Sequence, residues 1–168
     1  MDSLLTENEL SFRKDVRDFV NKELMPHVEE WEKRKQYAKE SVKKFADYGL
    51  FGILVPAEYG GLGGTVTEYL IASIEIARAS VSLAAVFGSP AGIFTDAVLK
   101  FGTKEQKDKY VPPVLSGDMI ACFAVTEPGA GSDAASMSTT ATRDGNDWIL
   151  NGAKTFITAA DVGDVVLV

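Results

Sequence analysis

The sequence predicts an α+β chain, with an all-α helical domain over residues 1–117 followed by a β-domain that starts at residue 118 and is incomplete at residue 168. Three observations carry this. Apolar residues recur at helical spacing up to Gly117, and from Asp118 onward the period is that of strands. Glycine-containing turn dipeptides punctuate the second part, as hairpins require. That part is only about fifty residues long, and its last apolar run, Asp164 to Val168, has just begun, which is little for an independent sheet.

The first helix begins at Thr6. Thr6-x-x-Glu9 is a capping box, in which side chains satisfy the first unpaired N–H groups. Phe12, Val16, Phe19, Val20 and Leu24 then form one apolar stripe, with Arg13, Lys14, Arg17 and Asp18 on the other face. Pro26 is expected to end or bend this helix. The mixed charges from Glu29 to Lys35 read as a solvated face. A second helix runs from about Ser41 to Tyr48, burying Val42, Phe45 and Ala46, with Gly49 as its C-cap. Between Gly60 and Gly64 four of five residues are glycine, so an irregular, closely packed loop is expected. A phosphate cradle there lacks a nearby lysine or arginine.

A third helix spans about Thr67 to Ala79, with Leu70, Ile71, Ile74 and Ala77 as its stripe. Small residues from Ala79 to Ala91 allow close helix contact. Phe94, Ala97, Val98 and Phe101 continue at helical spacing until Gly102. Thr103-x-x-Gln106, a second capping box, opens a helix to about Leu115, whose second half Pro112 and Pro113 should kink or unravel. In the β part, Asp144-Gly145-Asn146 reads as a hairpin turn, and Asn151-Gly152 is the dipeptide favoured for a tight two-residue turn. An interrupted sheet leaves open edges, so the β part is expected to be less stable than the helical part.

Of 168 residues, 46% are hydrophobic, enough for a sizeable core, and the net charge of −7 disfavours nucleic acid as a partner. No apolar run is expected to span a bilayer. Met1 to Asn8 has neither the basic start nor the apolar core of a signal peptide. Cys122, the single cysteine, suits a reducing compartment and reads as a packing residue in a strand. His27 stands alone and no metal is expected.

Val125–Asp133 joins two strand runs but cannot be a strand, because Pro128, Gly129 and Gly131 break the ladder. Its glycines let the backbone approach a ligand and present N–H groups. Thr126, Ser132 and Asp133 add hydroxyls and a carboxylate. Composition alone leaves both a ligand loop and a tight structural turn open. Gly129-x-Gly131-x-x-Ala134 matches a relaxed dinucleotide fingerprint, but the residues that follow favour a strand over the required helix. Gly152-Ala153-Lys154-Thr155 lacks the glycine spacing of a phosphate-binding P-loop.

The stretch Cys122–Asp133 resembles the signature of the acyl-CoA dehydrogenase family, and Trp148–Thr158 is similar to that family's second, hairpin motif. Pro56–Gly64 and Phe101–Tyr110 extend the likeness, which covers the whole chain but only the first part of a family member. The resemblance implies a helical domain and the start of a middle β-barrel, in a protein that continues into a four-helix bundle and is usually a tetramer. It implies FAD as cofactor and oxidation of acyl-CoA to trans-2-enoyl-CoA, with electrons passed to an electron-transferring flavoprotein. By motif, the cofactor contacts are Phe123, Ala124, Val125, Thr126, Gly131, Ser132, Phe156, Ile157 and Thr158, with Ser132 also near the substrate. The family usually has tryptophan at the position of Phe156 and Asn-Gly at Ala159-Ala160. Its catalytic carboxylate is implied to lie in the C-terminal bundle. No catalytic residue is therefore expected here, and Glu127 is expected to be a hydrogen-bonded loop residue.

Two other functions stay open: a non-catalytic flavin- or thioester-binding subunit completed by a partner chain, and a flavin monooxygenase or acyl-CoA oxidase on the same fold. The expected location is the cytoplasm, or the mitochondrial matrix for a processed form.

Overall fold

The computed structural model describes residues 2–35 and 38–168. Helix α1 (Glu7–Phe19) starts at the Thr6–Glu9 capping box and runs through a π-turn (Val20–Leu24) into α2 (Met25–Arg34). Of the two outcomes expected of Pro26, ending the helix does not occur. Pro26 falls in the first turn after the register shift, where an N–H is dispensable. Helix α3 (Lys39–Asp47) ends before Gly49, whose φ of 78° is left-handed, as its C-cap role requires.

Helix α4 (Val66–Ala79) is opened by a further capping box, Thr65 with Glu68. Helix α5 (Val81–Gly88), a π-turn (Ser89–Phe94) and α6 (Thr95–Phe101) follow as one continuous helix, with Pro90 in the first turn of the π segment. Joined, Val81–Phe101 is a 21-residue helix long and apolar enough to cross a membrane, which the sequence reading did not anticipate. Leu83, Val86, Phe87, Ala91, Phe94 and Val98 on it are buried inside the protein. Helix α7 (Lys104–Leu115) stays helical through Pro112 and Pro113. Asp108 and Lys109, whose carbonyls lose their partners to the prolines, are exposed to water. The Pro112 and Pro113 carbonyls still accept from Ser116 and Met119.

The main core gathers α1, the first π-turn, α3, α4 and α5. Phe45, Phe51 and Phe87 pack on one another at its centre, with ring centroids 5.9 to 6.4 Å apart. Glu75 of α4 is fully buried against α1, bonded by Arg13 (2.9 Å), Arg17 (2.7 Å) and Arg78 (3.0 Å). Burial alone would raise its carboxyl pKa, but the three guanidiniums outweigh it and bring it down from 4.5 to about 2. The glycine loop packs as expected: a Cβ on Gly61 would stand 2.0 Å from the Val55 carbonyl oxygen.

The β segments form two separate ladders among the described residues. Strand β1 (Ala121–Phe123) pairs in parallel with β4 (Val165–Leu167), and β2 (Thr140–Asp144) pairs antiparallel with β3 (Asp147–Asn151). Asp144 faces Asp147 across a two-residue turn at Gly145 and Asn146, as the sequence reading had it. Asn151-Gly152 makes no hairpin. Gly152 instead lets the chain pass close to Thr139, whose Oγ1 would stand 2.3 Å from a Cβ there. The β1–β4 pair packs into a second core with Val55, Phe94, Val98, Val111 and Val114. That core seats the start of the β part against the helical wall.

Candidate functional site

Strand alternation separates two kinds of residue at the end of β1. Cys122 and Ala124 are buried, while Phe123 and Val125 lie on the opposite, partly open side. The Ala124 N–H extends the parallel ladder to the Leu167 carbonyl at 2.8 Å. Cys122 packs where Gly163 passes: a Cβ on that glycine would lie 2.4 Å from Sγ. Burial, then the charges of Asp161 and Asp164, push its thiol pKa up, which disfavours the reactive thiolate and fits a packing role.

Beyond Val125 the loop is held by Glu127. Its backbone closes a tight turn with Ala130, in two bonds of 2.9 and 3.1 Å. Its buried carboxylate accepts from the Ser138 N–H (2.7 Å), the Ser138 hydroxyl (2.8 Å), the Thr139 N–H (3.0 Å) and Lys154 Nζ (2.9 Å). Thr139, the Ser138 N–H and the Lys154 ammonium hold this carboxyl well below the usual carboxylate range. Lys154 Nζ also donates to the Val125 carbonyl at 2.9 Å, and the Thr155 N–H donates to the Thr126 carbonyl at 2.9 Å. Two segments some thirty residues apart are thus clamped side by side. Glu127 is the hydrogen-bonded loop residue that the sequence suggested.

The clamp delivers Phe156, Ile157 and Thr158 beside Phe123, Val125 and Thr126. These six residues face Tyr69, Ala85, Gly88, Ser89 and Ile93 of the helical domain across a cleft of about 350 Å³. Phe156 is 91% exposed and has a left-handed φ of 58°, an uncommon backbone for a bulky residue. Ala159, where the family more often has asparagine, also adopts a left-handed φ, 64°, so the turn forms without Asn-Gly. A neighbouring cleft of about 300 Å³ between α2 and α5 shares Ala85 and Thr158 with the first and has Trp31 in its wall.

Six of the nine residues expected at the cofactor therefore meet in one cleft. Ala124 lies beneath it, and Gly131 and Ser132 sit on the exposed loop outside it. The helical wall was not foreseen, although the run of small residues before Ala91 was its trace in the sequence. Among the described residues no cluster of His, Cys, Asp or Glu could hold a metal ion.

The donor set fits a flavin. Phe123, Val125 and Ile157 would offer a flavin apolar contact, and Phe156 an exposed ring for stacking. Thr126 and Thr158 supply hydroxyls for a polar ring edge.

What this architecture defines is a helical domain closed on one side by two loops of a β-domain, with a cleft of apolar and hydroxyl-bearing residues between them. The family profile for the acyl-CoA dehydrogenase N-terminal domain matches residues 6–118, and that for the acyl-CoA dehydrogenase middle domain matches residues 122–168. The chain belongs to the acyl-CoA dehydrogenase family. It is 40% identical over 163 residues to an acyl-CoA dehydrogenase of Bacillus subtilis (strain 168), covering 97% of this chain and 43% of that protein. It is 42% identical over 160 residues to the caffeyl-CoA reductase-Etf complex subunit CarC of Acetobacterium woodii, covering 95% of this chain and 42% of that subunit. A glutaryl-CoA dehydrogenase of Mycobacterium smegmatis in complex with FADH2 superposes with a TM-score of 0.93 at 34% identity, over 99% of this chain and 43% of the other. The chain spans less than half the length of these relatives.

Proposed function

We propose that this chain forms the flavin-facing part of an FAD-dependent acyl-CoA dehydrogenase, which converts acyl-CoA to trans-2-enoyl-CoA. The observation that carries the reading is the meeting of Phe123, Val125 and Thr126 with Phe156, Ile157 and Thr158 in one cleft. FAD, when bound, supplies the acceptor for a hydride from the acyl β-carbon. Thr126 and Thr158 would donate hydrogen bonds to the flavin's polar edge, which gains negative charge on reduction. Phe156 would pack against the flavin, and Phe123, Val125 and Ile157 would keep water from it. Lys154 and Glu127 hold both segments in register. Removal of the α-proton falls to a carboxylate outside this chain.

Ser132 and Gly131, on the exposed loop, remain candidates for contacts at the outer end of the cofactor and substrate, with Ala124 contributing backbone. An electron-transferring flavoprotein is the partner in this reading, supported by the Acetobacterium relative, whose name places it in an Etf complex. Homotetramer assembly and a role in fatty acid metabolism belong to the same reading. So does a reducing compartment, the cytoplasm or mitochondrial matrix, where the buried free thiol of Cys122 is stable.

The test is a titration of the full-length protein with FAD, followed by anaerobic addition of acyl-CoA. Stoichiometric flavin binding and bleaching of the flavin's visible absorbance are expected. A protein that binds FAD but is bleached by no acyl thioester would contradict the dehydrogenase reading. Isolated residues 1–168 are expected to bind FAD weakly, because part of the cofactor's surface is left uncovered.

A further inference from the structure

We propose that Tyr69 sets the depth of the cleft and restricts it to a short, unbranched acyl group. This rests on the dehydrogenase reading above and adds to it the class of substrate.

Tyr69 enters the cleft wall from α4, while Ala85, Gly88, Ser89 and Ile93 come from the following long helix. Its hydroxyl lies over two glycines of that helix, one turn apart. A Cβ on Gly92 would stand 2.3 Å from Oη and 2.7 Å from Cζ, and one on Gly88 would stand 3.4 Å from Oη. Neither glycine has a left-handed backbone, so neither is needed for a turn. Each weakens the helix relative to alanine. What they provide is a bare strip on which the tyrosine ring lies.

The ring is also fixed from behind. Its centroid is 5.3 Å from that of Phe87, which is fully buried and packs on Phe45 and Phe51. Tyr69 therefore cannot retreat into the core without displacing the central aromatic cluster. Tyr69 shares the cleft wall with Phe123, Val125 and Ile157, so an acyl group held beside those residues meets its ring. An acyl chain entering from the flavin side ends against a rigid aromatic wall. A longer or branched chain has to move that wall, and one methylene that does not fit changes specificity by about tenfold or more.

The experiment measures kcat/KM for straight-chain acyl-CoA thioesters from butyryl to lauroyl, and for isovaleryl-CoA, in the full-length, flavin-loaded protein. Wild type should prefer the shortest. Tyr69→Ala should move the optimum to longer chains, gaining about tenfold on octanoyl-CoA relative to butyryl-CoA. Tyr69→Phe should keep the wild-type profile, since the ring fills the space. Gly92→Ala, whose new methyl drives the ring toward the cleft, should narrow the profile further and gives a second readout should Tyr69→Ala fail to fold. A uniform loss across all chain lengths in Tyr69→Ala and Gly92→Ala would overturn the proposal, as would a wild type that prefers octanoyl-CoA or longer. Absence of turnover with every thioester would instead overturn the dehydrogenase reading itself.

Discussion

The centre of the helical domain and the β2–β3 hairpin contain equally apolar side chains with opposite fates. Phe45, Phe51 and Phe87 are at most 1% exposed, whereas Trp148, Ile149 and Leu150 are 62, 56 and 55% exposed. A helix stripe finds partners on several neighbouring helices. A two-stranded ladder has two faces and two edges, and among the described residues none of this hairpin's side chains is buried. The β1–β4 pair behaves differently from the hairpin, because Ala121, Val165 and Leu167 join the second core. The contrast in packing therefore runs through the β part and does not follow the junction at Gly117.

The largest expected effect lies on the helical side. Glu75→Ala removes the shared acceptor of Arg13, Arg17 and Arg78 and should cost about 2–3 kcal/mol in urea unfolding. Ile149→Ala on the hairpin should cost less than about 0.5 kcal/mol. Equal losses would mean that the hairpin is buried in solution.

Acid sharpens the same contrast. The Glu75 carboxyl is held below its ordinary value, so its contribution is fully present above pH 4.5 and is lost as the pH falls through about 2. Urea midpoints should drop over that window in wild type and change less in Glu75→Gln.

Hydrogen exchange should divide the β part. The Thr155, Ser138 and Thr139 amides, bonded to Thr126 and Glu127, should be protected relative to the unbonded amides of the hairpin turn. Lys154→Met should speed exchange of these three by about tenfold or more, the equivalent of one lost charged hydrogen bond. Unchanged rates would mean that the clamp does not hold the two segments together.

A small effect of opposite sign concerns Phe156. Asparagine tolerates a left-handed backbone and the exposed ring contributes little burial, so Phe156→Asn should raise stability by about 0.5–1 kcal/mol while weakening flavin binding. Thermal unfolding with and without FAD checks both halves. A loss of stability without flavin would show that the ring already packs within the protein.

Local signals were legible wherever the determining contact is short in sequence. The capping boxes at Thr6 and Thr103 formed as written, and so did the Asp144–Asp147 hairpin. Thr65 with Glu68 had the same pattern and was passed over behind the glycine loop. The two motif segments were picked out by resemblance to a family signature, since composition alone left the first of them open between a ligand loop and a structural turn. Pro26, Pro112 and Pro113 misled, since whether a missing N–H matters depends on where in a helix it falls and on what its partner carbonyl faces.

The sequence by itself determined the helical-to-strand change of period, the capped helix starts, and the hairpin turn at Gly145 and Asn146. Each of these follows from contacts within a few residues. Tertiary structure decided that β1 pairs with β4 in parallel, that Lys154 bridges Val125 and Glu127, and that Tyr69 rests on Gly88 and Gly92. Such choices depend on side-chain volume and on unsatisfied polar groups brought together from distant parts of the chain. No periodicity encodes them; they are settled only when the cores close and exclude water.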